Sequence, residues 1–244
     1  MIFELCDNAT CLDHNPYYDV EDIWRKLSFS INNNKAVKYC MFIKDRTEVW
    51  KSILRSKSKH NYLYSYNVKD REEIRKALAN SKDDDAPYYL FLYCTDVCDS
   101  EEVWKALANS SNPNAVEYQC EYCRLINDRE EMWKAIVNSN SPIAYRYQYE
   151  YCRYVKTRPE MVEAFKNARN SCDPEWQYKY CNFIEDREEI WRALVNNNHP
   201  DAPQWQYIYC TNIKDRPEMM MAIKNSSSPQ RNRWWRAYCL RMGD

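Results

Sequence analysis

At 244 residues the chain holds one glycine, against an average usage of roughly 7%, which excludes dinucleotide fingerprints, phosphate-cradling loops and most tight hairpins. No window approaches the 18 or so uninterrupted apolar residues of a membrane span, and Met1 to Val20 lacks the basic start and apolar run of a secretion signal. The formal net charge of −1 hides a strong division along the chain, which starts acidic, turns basic and ends close to neutral.

In chain order, residues 1–18 read as an acidic terminal segment and 19–244 as one solenoid of eight repeats. Up to Trp24 there are six acidic residues and no Lys or Arg. Cys6, Cys11 and His14 could form a ligand group there, or equally a capping segment. Two shortened repeats follow, Trp24 to Cys40 and Trp50 to Tyr66. Between residues 25 and 60 they carry ten basic residues against two acidic ones. Lys35, Lys38, Lys51, Arg55, Lys57 and Lys59 depart from the repeat consensus there, which makes this span a possible nucleic-acid contact.

From Cys94 onward the period is fixed. Cys94, Cys123, Cys152, Cys181, Cys210 and Cys239 are evenly spaced, and Trp104, Trp133, Trp191 and the terminal asparagines Asn80, Asn109, Asn138, Asn167, Asn196 and Asn225 keep the same interval. Self-similarity of this length marks a repeat array. The ladder cysteines read as small buried hydrophobes in a reducing, cytoplasmic setting. Cys94, Cys98, Cys120 and Cys123 imitate a zinc site. On stacked helices, however, Cys98 and Cys120 fall about 10 Å apart along the axis, too far for one tetrahedral ion.

Within a unit, Asp186 to Glu189 reads as a capping box opening a short helix. Ile190, Trp191, Leu194 and Val195 form its apolar stripe, and Asn196 is expected to end it in the left-handed conformation. Prolines in the linker suit the first turn of a second helix. That element, Trp205 to Ile213, has helical spacing, although Trp205, Tyr207 and Tyr209 also alternate as in a strand. The fold class is therefore all-α, an αα-solenoid of about eight helix-turn-helix repeats, and the alternative is an α/β leucine-rich-repeat-like horseshoe. The units at Trp133 to Ser139 and Tyr149 to Val155 resemble the short tandem helical repeats of uncharacterised phage and prophage proteins. The resemblance implies a phage-encoded source and a role in modulating or inhibiting a host or defence protein, and no chemistry.

The recurring side chains carry no catalytic pattern. The histidines, His14, His60 and His199, pair with no recurring nucleophile, and glutamates at helix starts are explained by capping. Tyr93, Tyr122, Tyr151, Tyr180, Tyr209 and Tyr238 provide one ring per unit, as in base-reading repeats, but inter-repeat packing with the hydroxyl at the surface is the stronger reading. The Asp-Arg pairs at 128–129, 186–187 and 215–216 read as inter-repeat ion pairing. Binding is therefore sought where the pattern breaks: the basic span, and the last helix with Arg231, Arg233, Trp234, Trp235 and Arg236. The expected function is non-enzymatic binding of a protein partner without cofactor or metal, the alternative being nucleic-acid binding through residues 25–60. The sequence does not specify the oligomeric state.

Overall fold

The computed structural model describes residues 33–42, 44–167 and 174–242. They form fifteen helices and, among the described residues, no strand, so the helical solenoid holds and the horseshoe does not. None of the helices is long and apolar enough to cross a membrane. The acidic segment 1–18, Trp24, Arg25 and the Cys6, Cys11 and His14 group lie outside the described residues.

The chain divides into two compact units after Ile126. The first holds α1 (Asn33–Phe42), α2 (Thr47–Ile53), α3 (Ser58–Asn67), α4 (Glu72–Ala79), α5 (Ala86–Asp96), α6 (Glu101–Ala108) and α7 (Ala115–Leu125). The second holds α8 (Glu130–Val137), α9 (Ala144–Tyr154), α10 (Pro159–Asn167), α11 (Pro174–Phe183), α12 (Glu188–Val195), α13 (Ala202–Asn212), α14 (Pro217–Asn225) and α15 (Arg231–Met242). Within each unit the longer, odd-numbered helices pack on one another in succession, as α9 on α11 and α11 on α13. The shorter, even-numbered helices from α4 onward do the same, giving two helical layers with the core between them.

Each short helix is amphipathic. In α12, Ile190, Trp191 and Leu194 are buried while Glu188 and Arg192 pair across one exposed turn at 2.7 Å. Such exposed i,i+4 pairs contribute only about 0.3–0.5 kcal/mol. The apolar stripe therefore decides where the helix lies, and the acidic first turn adds a favourable interaction with the helix dipole.

Both helix ends differ from expectation. The residue preceding α12 is Arg187, in extended backbone and without a side-chain cap, and Asp186 faces elsewhere. Nor are the terminal asparagines left-handed, since Asn196 has φ −89° and ψ 7° and Asn109 has φ −90° and ψ 6°. Their recurrence has another cause. Asn196 Nδ2 donates to the Arg192 carbonyl at 2.9 Å and Asn109 Nδ2 to that of Lys105 at 2.9 Å, giving each carbonyl a second donor beside the backbone amide of the same asparagine.

The long helices bury a polar column as well. Gln119, Gln148, Gln177 and Gln206 are all buried. Gln119 Nε2 donates to the Leu107 carbonyl at 3.0 Å and Gln206 Nε2 to the Leu194 carbonyl at 2.9 Å, closing the end of the short helix of the same repeat. One alignment also changes. Buried Ser65, following buried Tyr64, occupies the ladder-cysteine position of the second repeat, whereas Tyr66 is exposed. The second shortened repeat thus has its anchor at Ser65, one residue before the expected Tyr66.

Cys94, Cys123, Cys152, Cys181 and Cys210 are buried free thiols, and Cys98 is exposed. Burial pushes the Cys152 thiol up to about 12, which lowers its thiolate fraction roughly a thousandfold near neutral pH. Alkylation of the folded chain followed by peptide mapping should modify Cys98 well before Cys152 or Cys181. Equal rates for Cys98 and Cys152 would contradict this packing.

Candidate interaction surfaces

The row of aspartates, tyrosines and arginines forms a tie between successive repeats. Tyr209, fully buried on α13, donates its hydroxyl to Asp186 Oδ1 at 2.6 Å. From the following repeat, Arg216 Nε donates to Tyr209 Oη at 2.7 Å and its Nη2 to Asp186 Oδ2 at 2.7 Å. The same guanidinium lies over Trp191, 4.4 Å from the ring centroid. Tyr151, Asp128, Arg158 and Trp133 repeat the arrangement, and Tyr64, Asp45, Arg71 and Trp50 do so in the first unit. The ion pairing thus runs between repeats, but it differs from solvated surface pairs because it encloses a tyrosine hydroxyl away from water. This role explains why Asp186 is not a cap.

Substitutions at individual positions alter the tie. Ser100 stands where Arg71 and Arg158 stand in their repeats, and Arg75 instead approaches Asp70 at 3.8 Å while Tyr93 donates to the same carboxylate. Thr157 stands at the aspartate position that serves Tyr180, whose buried hydroxyl has no hydrogen-bond partner.

A second aromatic column lies one turn before the first. Tyr149 packs on Trp176, Tyr178 on Trp205 and Tyr207 on Trp234, with centroids 5.3, 5.4 and 5.5 Å apart. In the first unit Tyr62 meets Tyr89 and Phe91 meets Tyr118. Each ring of one repeat rests on a ring of the next, contacts worth about 0.5–1.5 kcal/mol beyond area burial. Trp234 therefore continues a periodic column, visible in the spacing of Tyr118, Tyr147, Trp176 and Trp205, and does not break the pattern.

On α15, Arg231, Arg233 and Arg236 are exposed, while Trp234 and Trp235 are half-buried. Trp234 Nε1 donates to Gln230 Oε1 at 3.1 Å, and Arg233 lies over its ring. Trp235 stacks on buried Tyr238, 5.7 Å away. Arg236 takes the place that Tyr149, Tyr178 and Tyr207 hold in earlier helices, so the aromatic column stops there. Leu240, 88% exposed, follows it.

In the first unit the basic span is spread over α1, α2 and the start of α3. Lys38, Lys51, Arg55, Lys57 and Lys59 are exposed and Lys35 is half-buried. Lys57, Lys59 and Lys82 line a recess of about 460 Å³ together with Asp83, Asp84 and Asp85. Asp83 Oδ2 accepts the Ser58 amide at 2.6 Å, so a carboxylate sits at the start of α3. Beside it, burial first and Lys59 second hold the His60 imidazole below its usual range. The carboxylates offset the local positive field on which a polyanion would depend.

The exposed large apolar side chains of the second unit recur by position. Tyr154 and Phe183, at the same place in consecutive repeats, are 52% and 54% exposed. Arg153 stacks on both, 5.1 Å from one centroid and 4.8 Å from the other, and its Nη1 donates to Tyr149 Oη at 2.8 Å. Nothing in the sequence reading singled out this cluster, although the shared interval of Leu125, Tyr154 and Phe183 was available. Among the described residues, no three His, Cys, Asp or Glu side chains converge as metal ligands, and Cys98 faces solvent away from buried Cys94, Cys120 and Cys123. Comparison with known proteins adds no assignment: no family model, no curated protein and no solved structure matches the chain.

Proposed function

We propose that the chain is a non-enzymatic helical-repeat protein that grips a protein partner, with the Tyr154, Arg153 and Phe183 cluster as part of the contact. The carrying observation is that two rings on successive repeats stay more than half exposed while one arginine holds them in a fixed relation. Tyrosine and arginine are among the residues that supply interface hot spots, and a pre-ordered cluster loses less side-chain entropy on binding. The recurring titratable groups, such as Asp128, Arg158, Asp186 and Arg216, are engaged in ties between repeats, which supports a scaffold over a catalyst. On α15 the exposed Arg231, Arg233 and Arg236, with Leu240, extend the proposed contact. The resemblance to phage repeat proteins makes a host or defence protein the expected partner and modulation of it the expected role.

Photo-crosslinking separates this reading from nucleic-acid binding. A photoreactive residue placed at Phe183 or at Arg236 should give a discrete protein adduct in cells that contain the partner. The same group at Asn196, exposed at the end of a short helix, should give none. Adducts to nucleic acid, or equal labelling from all three positions, would reject the reading. Reversing Lys51, Arg55, Lys57 and Lys59 to glutamate should leave the protein adduct in place. Binding carried by the basic span would instead disappear, and in the unmodified chain it would fall steeply with salt.

A further inference from the structure

In the second unit the tie between repeats lacks its carboxylate at Tyr180. Tyr64, Tyr93, Tyr122, Tyr151, Tyr209 and Tyr238 each donate to an aspartate: Asp45, Asp70, Asp99, Asp128, Asp186 and Asp215 respectively. In the full-length repeats the donor lies 23 residues after the acceptor. For Tyr180 that register falls on Thr157. Tyr180 is fully buried, packed against Phe165, and its hydroxyl finds no acceptor. Arg187 holds the position of Arg158 and Arg216, yet two glutamates hold its guanidinium. Its Nε donates to Glu185 at 2.6 Å and its Nη1 lies 3.7 Å from Glu189. A buried hydroxyl without an acceptor is costly, and here the donor remains while only the carboxylate is missing.

We infer that the Thr157 position is an oxyanion site that takes a phosphoryl group, carried by Thr157 itself or supplied as free phosphate. Thr157 lies half-buried in the loop between α9 and α10, and its Oγ1 makes only a long contact, 3.4 Å, to the Cys152 carbonyl. A phosphate there accepts the Tyr180 hydroxyl and draws Arg187 back over it, as Asp186 holds Tyr209 and Arg216. It also stands two residues before α10, where the N-terminal end of the helix dipole favours negative charge. Arg187 must release Glu185 and Glu189, both solvent-exposed carboxylates that water can reclaim. In the covalent case the γ-phosphoryl of a nucleoside triphosphate passes from its diphosphate leaving group to Thr157 Oγ1, and the hydroxyl proton is lost to the transferring kinase.

Thermal unfolding distinguishes the two sources. The full chain would be compared with a form carrying phosphothreonine at 157, installed during synthesis, and with Thr157→Asp, each with and without excess inorganic phosphate at constant ionic strength. If the covalent source applies, the phosphothreonine form melts roughly 2–4 °C above the unmodified chain. That gain disappears in both Tyr180→Phe and Arg187→Met, each measured against its own unphosphorylated baseline. If free phosphate is the ligand, it raises the melting temperature of the unmodified chain but not of Thr157→Asp, whose carboxylate already fills the gap. Absence of both gains, or a gain that survives loss of Tyr180 and Arg187, overturns the inference.

Discussion

Tyr209→Ala is expected to destabilise the second unit by about 3–5 kcal/mol, the range for removing a large aromatic ring from a packed core. The ring is fully buried beside Cys210, and its hydroxyl joins Asp186 to Arg216 across two repeats. Two losses therefore coincide: a cavity opens between helical layers, and a half-buried ion pair loses the group that organises it. Tyr209→Phe separates them, since it keeps the packing and removes the two charge-assisted hydrogen bonds of the hydroxyl, at about 1.5–3 kcal/mol or more. Asp186→Ala leaves the Tyr209 hydroxyl buried without an acceptor and Arg216 over Trp191 without its carboxylate, at about 1–3 kcal/mol or more. Tyr154→Ala, at an exposed position on α9 of the same helical layer, should stay within about 0.5 kcal/mol. Midpoints of urea unfolding rank the four variants. A Tyr209→Ala midpoint equal to that of Tyr154→Ala would show that the tie does not hold the repeats together.

The period, the helical class and the burial of the ladder cysteines from Cys94 to Cys210 are legible in the sequence because apolar spacing and burial obey the same geometry in those repeats, whereas Cys239, on the last helix, is only half-buried. What the sequence obscures is the destination of polar side chains. Asp186 followed by Arg187, Glu188 and Glu189 has the form of a capping box, yet a carboxylate can serve either the amides of its own helix or a hydroxyl that only the fold brings near. Asn196 illustrates the same ambiguity, since its residue type suits a left-handed cap as well as a side-chain bond to a carbonyl one turn back. The Gln119, Gln148, Gln177 and Gln206 column was periodic and could have been read, but a glutamine in a helix gives no sign that it will be buried. The terminal helix is ambiguous for another reason. Trp234 and Arg236 are interface-favoured types, and only alignment to Trp205 and Tyr207 separates the ring that continues a column from the arginine that interrupts it. Tyr154 and Phe183 share the repeat interval, but the stacking of Arg153 on both rings depends on two adjacent long helices that only the fold brings together.

Alkaline pH should unfold the chain cooperatively between about pH 10 and 12. Tyr64, Tyr93, Tyr151 and Tyr209 have phenols raised above their ordinary range, first by burial and then by the hydrogen bond to an aspartate, and Tyr180 is raised by burial and next by Cys152. Burial also pushes the Cys40, Cys152 and Cys210 thiols up to about 12. The direction follows from proton binding. The folded state keeps these protons where the unfolded chain has already released them, so the stabilisation is complete below the unfolded values, near 9 for the thiols and 10 for the phenols, and declines as pH rises toward the folded ones. Each such group costs about 1.4 kcal/mol per pH unit above its unfolded value. Several acting together exhaust a typical stability of about 5–15 kcal/mol within one or two units. Far-UV circular dichroism and the share of the near-UV tyrosinate absorbance that comes from the ladder phenols should therefore change in one step, because those phenols ionise only as the repeats separate. Tyr209→Phe removes one contributor and should make the fall in free energy with pH shallower above pH 10, even though the variant is less stable at neutral pH. Full tyrosine ionisation near pH 10 with the helical signal intact would mean that the ladder hydroxyls are open to water, and the inter-repeat tie would have to be abandoned.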